Sequence, residues 1–418
     1  MRVALGVCAV ALGFAAGCCT NAPVPQTRQP VPTVVPITVE LPLAKPTRTE
    51  PDLRTLAKTP IKQVSATEGT EYRRVTEPIC QRLAAQNASL ANALDAEGSV
   101  PVGRETAADK LKQTTRYFAA LELRNRAAAD ALERFFQLAG AESQTDFPRA
   151  AFPVVDDLLK KAKAARAANV RFPLDPADLE RQRLQTFTQL EQAETESDLL
   201  NIDLKRRLGL SASFERLWPS GDFGIDTDPV NAEQAVNAAL ADRPELRGLR
   251  AVHADLTPDT LPLAREQLRA ASPLLGGSPP APRGLPRFLF HNRAEAKARA
   301  ELEVRKKQLA ERINEREREV ADEARAAAVS LNAQTRRVQL ARDRLDAWTA
   351  TRADATRKRE ANQPGAELLE AQATLDWLKA RAEVVAEVMT WHQTRVQLKA
   401  AQGWLSWECL DDRPGILK

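Results

Sequence analysis

Hydrophobic positions from Arg293 to Glu360 follow one long helical period. The stretch contains no proline and no glycine, and strong helix formers fill most of it. Its apolar and small residues recur at steps of three, four and seven: Leu309, Ile313, Val320, Ala324, Ala327, Leu331, Val338, Ala341, Leu345 and Trp348. This spacing predicts a helix about 100 Å long with a narrow apolar seam on one side and charge elsewhere. We expect the seam to pack on its own return helix and on neighbouring helices.

The preceding part of the chain is also helical in pattern, with proline interruptions. Helical sequence starts near Glu71 and is interrupted around Pro101. A longer helical region follows from about 107 to 169, and we expect a kink or break at Pro148 and Pro153.

A turn at 171–176 then leads into a return helix from Pro176 to Arg207. Asp175 is a good N-cap for this helix, and Leu208-Gly209 is a plausible stop. Residues 211–228 are predicted to be irregular, with room for short strands. A further short strand is conceivable at 34–41.

The second half repeats this order of elements. One helix begins just after Pro229 and a Pro- and Gly-rich break follows at 273–286. The long helix comes next, then a turn at 363–365 and a return helix that ends at Gly403.

The two return helices carry matching residues near their starts. Leu179-Glu180-x-Gln182 aligns with Leu369-Glu370-x-Gln372, and 369 − 179 gives an offset of 190. We interpret the chain as an internal duplication of helical hairpins, with repeats at 67–228 and 229–405 and a tail at 406–418.

The N-terminus has the pattern of a secretory signal. Arg2 precedes an apolar run at 3–16 that is too short to span a bilayer. Ala15-Ala16-Gly17-Cys18 resembles a bacterial lipobox, which predicts a lipoprotein signal peptide at 1–17 and lipidation of Cys18. Cys19 is a second candidate, and ordinary cleavage near Ala16 is the alternative. Residues 18–66 are rich in proline and are interpreted as an extended tether.

Composition favours long solvated helices over a thick core. Aromatic residues make up 5% of the 418 residues and charged residues 28%. The net charge of +4 comes from 60 basic and 56 acidic residues mixed along the helices, which argues against a nucleic-acid partner.

Residue types that carry enzymatic chemistry form no recognisable motif. Phosphate loops, nucleophile elbows and HExxH motifs are absent, so we expect no catalytic site, cofactor or metal. The histidines His253, His291 and His392 lack ligand spacing and are expected at the surface. Cys80 and Cys409 could form a disulfide or remain two buried thiols.

Aromatic residues are expected to serve packing. The Phe135-Phe136 pair is interpreted as core. Trp348, Trp377 and Trp391 fall on predicted helices, where seam or interface packing is the simpler role.

Three segments in this order resemble the TolC-like outer-membrane factors. Residues 230–251 (VNAEQAVNAALADRPELRGLRA) are similar to the opening of the second repeat in that family. Residues 368–375, with Gly365 before them, resemble the LLEAQ-x-x-L segment after the periplasmic turn. Residues 204–210 (LKRRLGL) resemble the close of the first repeat. The resemblance covers about residues 70 to 405.

The resemblance implies a mainly α fold of elongated, duplicated long-helix hairpins, the protomer of a TolC-like α-helical tunnel. The sequence of this chain itself predicts few or no β-strands. It also implies a homotrimer in an efflux or secretion system, working with a periplasmic adaptor protein and an inner-membrane transporter. The chain would be lipid-anchored at the outer membrane, with its body in the periplasm. The tips that meet the adaptor would include Arg171, Pro173, Asp175, Pro364 and Gly365.

One departure from the family leaves a second function open. The family places two membrane-spanning strands in each half, and each needs about 9–11 residues of alternating apolarity. The corresponding windows here, 97–112 and 271–291, lack this alternation, which predicts reduced or missing β-barrel strands. The alternative is therefore a periplasmic coiled-coil structural lipoprotein, derived from this family, that forms no channel.

Overall fold

The computed structural model describes residues 43–44, 72–99, 106–211, 215–277 and 291–408. The strands are β1 (Leu43–Ala44), β2 (Tyr72–Val75) and β3 (Arg216–Pro219). The helices are α1 (Glu77–Gln86), α2 (Ser89–Gly98), α3 (Ala107–Gln144), α4 (Asp146–Ala167), α5 (Pro176–Arg207), α6 (Ala232–Asp242), α7 (Pro244–Ala254), α8 (Leu261–Ala271), α9 (His291–Glu360), α10 (Ala366–Gln402) and α11 (Trp404–Glu408). The fold is mainly α and is organised as two long-helix hairpins, as the sequence predicted.

The first hairpin pairs an arm made of α3 and α4 with the return helix α5. The arm breaks at Thr145, three residues before Pro148. Pro148 is thus the third residue of α4, where a backbone N–H has no partner within the helix and its loss costs little. Pro153 lies inside α4. The predicted break is confirmed near Pro148, whereas α4 continues through Pro153 without a break.

The second hairpin pairs the 70-residue α9 with α10. Eight of the ten predicted seam residues are buried, while Ala327 and Trp348 are half-buried. Ala328, next to Ala327, completes the seam. The later positions Leu331, Val338, Ala341 and Leu345 are buried as predicted, so the seam differs from the prediction only at Ala327 and Trp348.

The seam of α9 has two sets of partners. Val320 and Ala324 pack on α6 and α7, and Leu309 packs on α7 and α8. Farther along, α9 packs on α10. Here Trp391 Nε1 donates to Thr335 Oγ1 at 2.9 Å, and Trp377 Nε1 donates to Thr349 Oγ1 at 3.1 Å. The predicted packing roles of Trp377 and Trp391 are confirmed.

Both hairpin arms end in the same way. Asn169 after α4 and Asn362 after α9 take left-handed φ values of 54° and 52°. The next amide donates back to the helix in each case, Val170 N to Ala165 O at 2.8 Å and Gln363 N to Lys358 O at 3.1 Å. These are paired Schellman closures. The ends of the two arms, Asn169 and Asn362, are 362 − 169 = 193 residues apart, whereas the starts of the two return helices are 190 residues apart. The turn of the first hairpin is therefore three residues longer than the turn of the second.

A small sheet lies beside the first hairpin. β1 pairs antiparallel with β2, and β2 pairs parallel with β3. The short strand expected in 211–228 is confirmed by β3. The helical prediction from Glu71 was wrong, because β2 occupies Tyr72–Val75. Its partner strand is about 140 residues away in sequence, and such a pairing leaves little local signal.

One predicted helix is divided in two. The helix expected after Pro229 breaks at Arg243, between α6 and α7. Arg243 has extended backbone angles of φ −62° and ψ 120°. The cause is Pro244, which disfavours a helical conformation in the residue before it.

An aromatic cluster forms the core between the hairpins. Phe135 and Phe136 are buried with ring centroids 5.1 Å apart, which confirms their predicted role. His392 of α10 stacks on Phe136 at 4.7 Å and is fully buried. Its predicted surface position was wrong.

Several predicted features lie outside the described residues. These are Cys18 and Cys19, the signal peptide, nearly all of the tether, the strand at 34–41, Cys409, and residues 100–105 and 278–290 of the two connection windows. Among the described helices, none combines the length and apolarity needed to cross a bilayer.

Candidate functional site at the hairpin tips

The two hairpin tips lie against each other. Leu158, Leu159 and Ala162 of α4 form a buried cluster with Leu179 of α5. Phe172 and Leu174 from the first turn, and Leu368 and Ala371 from α10, pack onto this cluster. Lys161 Nζ lies 3.4 Å from the Glu367 carboxylate across the two hairpins. The turns 168–175 and 361–365 are therefore neighbours at one end of the molecule.

All five predicted tip residues are exposed at this end. Arg171 and Pro173 lie in the first turn, and Pro364 and Gly365 in the second. Asp175 caps α5, its Oδ1 accepting from Ala177 N at 3.0 Å. Gly365 has a φ of 77°, which favours glycine over other residues. The structure thus brings together the residues that the sequence assigned to one contact surface.

Ion pairs surround the tips. Arg359 pairs with Glu370 at 2.9 Å, and Lys163 pairs with Glu180 at 3.1 Å. Hydrogen bonds from Arg183 and Lys163 lower the pKa of Glu180 below its ordinary value. In each pair the basic side chain is exposed and the carboxylate is half-buried, so each contributes little to stability.

The flanks of both hairpins carry exposed apolar side chains. On α5 these are Leu184, Phe187, Leu199 and Ile202, which at 100° per residue fall within an arc of about 120°. On α9 they are Val304, Val329 and Leu340, which fall within about 20° of one another. On the side of α5 that faces the rest of the chain, few residues are buried, and three of them are the polar Thr186, Ser197 and Asn201. Both helices therefore present apolar lines that the described residues leave open.

A partly buried layer of charge joins α3, α7 and α9. Arg243 forms ion pairs with Glu323 and with Glu245. Glu245 also pairs with Arg316 at 2.7 Å. In the sequence, Arg243 and Glu245 belong to the RPEL part of residues 230–251, for which no ion pairs were predicted. The sequence gives no local signal for these ion pairs, because Glu323 lies 80 residues from Arg243 and Arg316 lies 71 residues from Glu245.

Glu122 of α3 is the most deeply placed carboxylate of this layer. Its Oε1 accepts from Arg126 Nε at 2.8 Å. Burial and the nearby Glu245 charge raise the pKa of Glu122 above its ordinary value, while Arg126 opposes this. A raised carboxyl pKa is a common mark of functional positions, although ion-pair networks also produce it.

Cys80 belongs neither to the hairpin tips nor to the charged layer. It is a buried free thiol whose Sγ lies 3.6 Å from the Ala131 carbonyl oxygen. Burial raises the pKa of this thiol, so it is unreactive and serves packing.

Sequence comparison alone finds no relatives. No protein-family model matches the chain, and no curated protein matches it significantly.

Solved structures do match in fold. The Campylobacter jejuni CmeC outer membrane channel aligns with a TM-score of 0.54 at 11% identity, covering 84% of this chain and 92% of that one. CusC, described in terms of folding and transmembrane channel formation, aligns with a TM-score of 0.54 at 11% identity, covering 78% and 90%. The outer-membrane channel OprN aligns with a TM-score of 0.52 at 14% identity, covering 78% and 87%. The chain therefore has the fold of a TolC-like outer-membrane factor.

Proposed function

We propose that this chain is the outer-membrane component of an efflux or secretion system. Three copies would form a helical conduit across the periplasm, and the hairpin tips would contact a periplasmic adaptor protein and, with it, an inner-membrane transporter. The single observation that carries this proposal is the set of channel proteins that share the fold over most of their own length.

The exposed flanks support assembly with further copies. Apolar lines on α5 and α9 run along the sides of the hairpins, away from the seam that packs on α10. Aligned apolar side chains on a long helix are typical of a surface that packs against another helix. In a closed ring of hairpins, α5 of one copy would meet α9 of the next.

The tips support contact with a partner. Five exposed residues, Arg171, Pro173, Asp175, Pro364 and Gly365, share one end of the molecule, as described above. Rigid turns on a packed helical support are well suited to docking because little order is lost on binding. An adaptor with its own exposed helical turns is the partner class that this surface fits.

Membrane attachment through Cys18 belongs to the same proposal. An acylated cysteine followed by a proline-rich segment would hold the helical body at the inner face of the outer membrane. Replacing Cys18 by serine should release the protein from membranes into the periplasmic fraction, and replacing Cys19 by serine should not. Membrane retention of the Cys18 variant would contradict the anchor.

The mass of the complex extracted from membranes tests the assembly. Native mass spectrometry should show three copies of the mature chain, whose unprocessed mass is 46.0 kDa. Leu184→Asp, which places a charge in the apolar line of α5, should shift the complex to single chains. Gln185→Asp is the matched control, because its exposed side chain projects about 100° away around the helix. A single chain in the unmodified protein would contradict the proposal and leave the structural lipoprotein as the better interpretation.

A further inference from the structure

The small sheet holds the N-terminal segment to the helical body at one short place. β1 pairs antiparallel with β2, and Leu43 lies opposite Arg73. In the sequence, Pro42 and Pro46 flank β1. Because proline has no backbone N–H, neither residue can extend the ladder as a donor. The attachment is therefore confined to the two residues of β1.

The sheet is itself fixed to the first hairpin. Arg216 of β3 donates to Glu142 of α3 at 2.7 Å and to Ser197 of α5 at 2.9 Å. The Asn201 side chain of α5 accepts from Leu217 N at 3.2 Å and donates to Leu217 O at 2.8 Å. These contacts cover the outer edge of β3 and place the sheet at the level of Glu142, near the end of α3.

This level lies about 50 Å from the start of α3. The distance follows from 142 − 107 = 35 residues between Ala107 and Glu142, at about 1.5 Å per residue. The start of α3 is the end of the arm that lies away from the hairpin tips. In the proposed assembly the tips meet the adaptor, so the start of α3 faces the outer membrane.

The chain enters β1 from the side of the sheet that leads toward this membrane-facing end. In an antiparallel pair, the start of one strand lies beside the end of the other, so the chain enters β1 where β2 passes into α1. From there α1 and α2 follow α3 back toward its start. Cys80 Sγ of α1 lies 3.6 Å from Ala131 O. At the end of α2, Gln113 Nε2 of α3 donates to Gly98 O at 3.4 Å.

The number of residues before β1 limits the reach of a lipid anchor. From Cys18 to Leu43 there are 43 − 18 = 25 steps, which span at most roughly 85 Å. This is enough to cover the 50 Å from the sheet to the start of α3. Without β1 the first attached residue would be Tyr72, and 72 − 18 = 54 steps would span at most roughly 180 Å. The pairing of β1 thus halves the greatest possible distance between the anchor and its attachment to the body.

We propose that β1 is a clasp and that residues 18–42 are a strap, which together limit how far the helical body can lie from the outer membrane. This inference rests on the proposed function, because it needs an acyl anchor at Cys18 and a body that stands upright on the membrane. Residues 45–71 connect two strands of the same sheet, so their number does not change the length of the strap.

A cross-strand disulfide reports whether β1 is paired in the full-length protein in cell membranes. Leu43→Cys with Arg73→Cys places two thiols at opposed positions, where Cα atoms are about 4.5–5.5 Å apart and a disulfide can form. Ala44→Cys with Tyr72→Cys is the second opposed pair. Mass spectrometry of the linked peptides measures the yield. We expect the disulfide in at least one pair, and its absence from both would contradict the clasp.

Shortening the strap tests its length. Deletion of residues 24–38 leaves 25 − 15 = 10 steps, which reach roughly 35 Å, so the disulfide yield should fall at least about fivefold. Deletion of residues 24–28 leaves 20 steps, which reach roughly 70 Å, and should not change the yield. Deletion of residues 50–64 is the control of equal length between β1 and β2 and should not change it either. Cys18→Ser combined with the deletion of 24–38 should restore the disulfide, because the strap is then free at its other end.

An unchanged yield after deletion of 24–38 would overturn the strap, and so would a loss that Cys18→Ser does not reverse. An equal loss after deletion of 50–64 would contradict it as well. The anchor is tested separately by the release of the Cys18→Ser protein from membranes. Without that release, the anchor and the strap are both wrong. With release but an unchanged yield after deletion of 24–38, the strap alone is wrong and the proposed function stands.

Discussion

The imidazole of His392 lies in the aromatic core, stacked on Phe136 and edge-on to Phe223 and Trp391. Burial, reinforced by the charge of Arg395, lowers its pKa to about 4. An unperturbed histidine has a pKa of about 6.5. The residue is therefore neutral in the folded protein at neutral pH.

Because of this lowered pKa, the free energy of unfolding decreases when the pH is lowered. Above pH 6.5 the histidine is neutral in both the folded and the unfolded state. Between pH 6.5 and about 4 the unfolded state takes up the proton first, so the free energy of unfolding falls as the pH falls. Well below pH 4 the full loss of unfolding free energy from this one histidine is about 3 kcal/mol.

Replacing His392 by phenylalanine should remove this dependence. Phenylalanine keeps the stacking on Phe136 and cannot be protonated. Denaturant unfolding at pH 7 and at pH 4.5 should show a smaller loss of stability on acidification for the variant than for the unmodified protein. His253→Phe, a change at a half-buried histidine outside this cluster, should retain the original loss. An equal loss in His392→Phe and the unmodified protein would show that other groups cause the acid sensitivity.

At the scale of elements, α9 separates buried seam positions from exposed flank positions. Leu331 is 4% exposed and Leu340 is 62% exposed, on the same helix and nine residues apart. Leu331→Ala should lower the free energy of unfolding by about 2–5 kcal/mol, because it leaves a cavity in the seam.

Leu340→Ala is the matched comparison on the same helix. It should change the stability of the isolated chain by less than about 0.5 kcal/mol. Under the proposed assembly it should instead weaken association between copies, measured by the concentration at which the complex dissociates. Equal stability losses for the two variants would contradict the assignment of seam and flank.

Gly403 at the end of α10 gives a second prediction. Its φ is 76°, and a Cβ would lie 2.9 Å from Pro244 Cδ and 3.0 Å from Arg243 Cα. Gly403→Ala should therefore lower the free energy of unfolding by at least about 1–2 kcal/mol, measured in denaturant. At Gly98, the last residue of α2, an added Cβ meets nothing within 4 Å. Gly98→Ala should be neutral or stabilise by up to about 1 kcal/mol. A neutral Gly403→Ala would show that the helix end can rearrange.

The sequence predicted those elements whose signals are local. The seam of α9, the return helices and both turns follow from periodicity, caps and prolines, which act within a few residues. The sequence-based prediction failed where residues distant in the chain determine the local structure. β2 depends on a partner near residue 217, and the burial of His392 depends on Phe136 and Phe223 from other elements. The ion pairs of Arg243 and Glu245 with α9 arise from packing between distant helices, which one sequence does not display.

At the scale of the whole molecule, the two hairpins have distinct surfaces for distinct contacts. The aromatic cluster and the packing of α10 on α3 and α4 join the hairpins within one chain. The apolar lines on α5 and α9 remain open, and the tips expose their turns at the same end of the two hairpins. In the proposed assembly, the open lines join neighbouring copies and the tips remain free for a partner.

The electrical conductance of the purified complex in a planar lipid bilayer tests the central claim most directly. A trimeric conduit should produce discrete, reproducible conductance steps after insertion, and Leu184→Asp protein at the same concentration should produce none. The complex should also conduct without any cofactor or energy source, because the pore is formed by its own helices. A stable complex that inserts into the bilayer and never conducts would contradict the account.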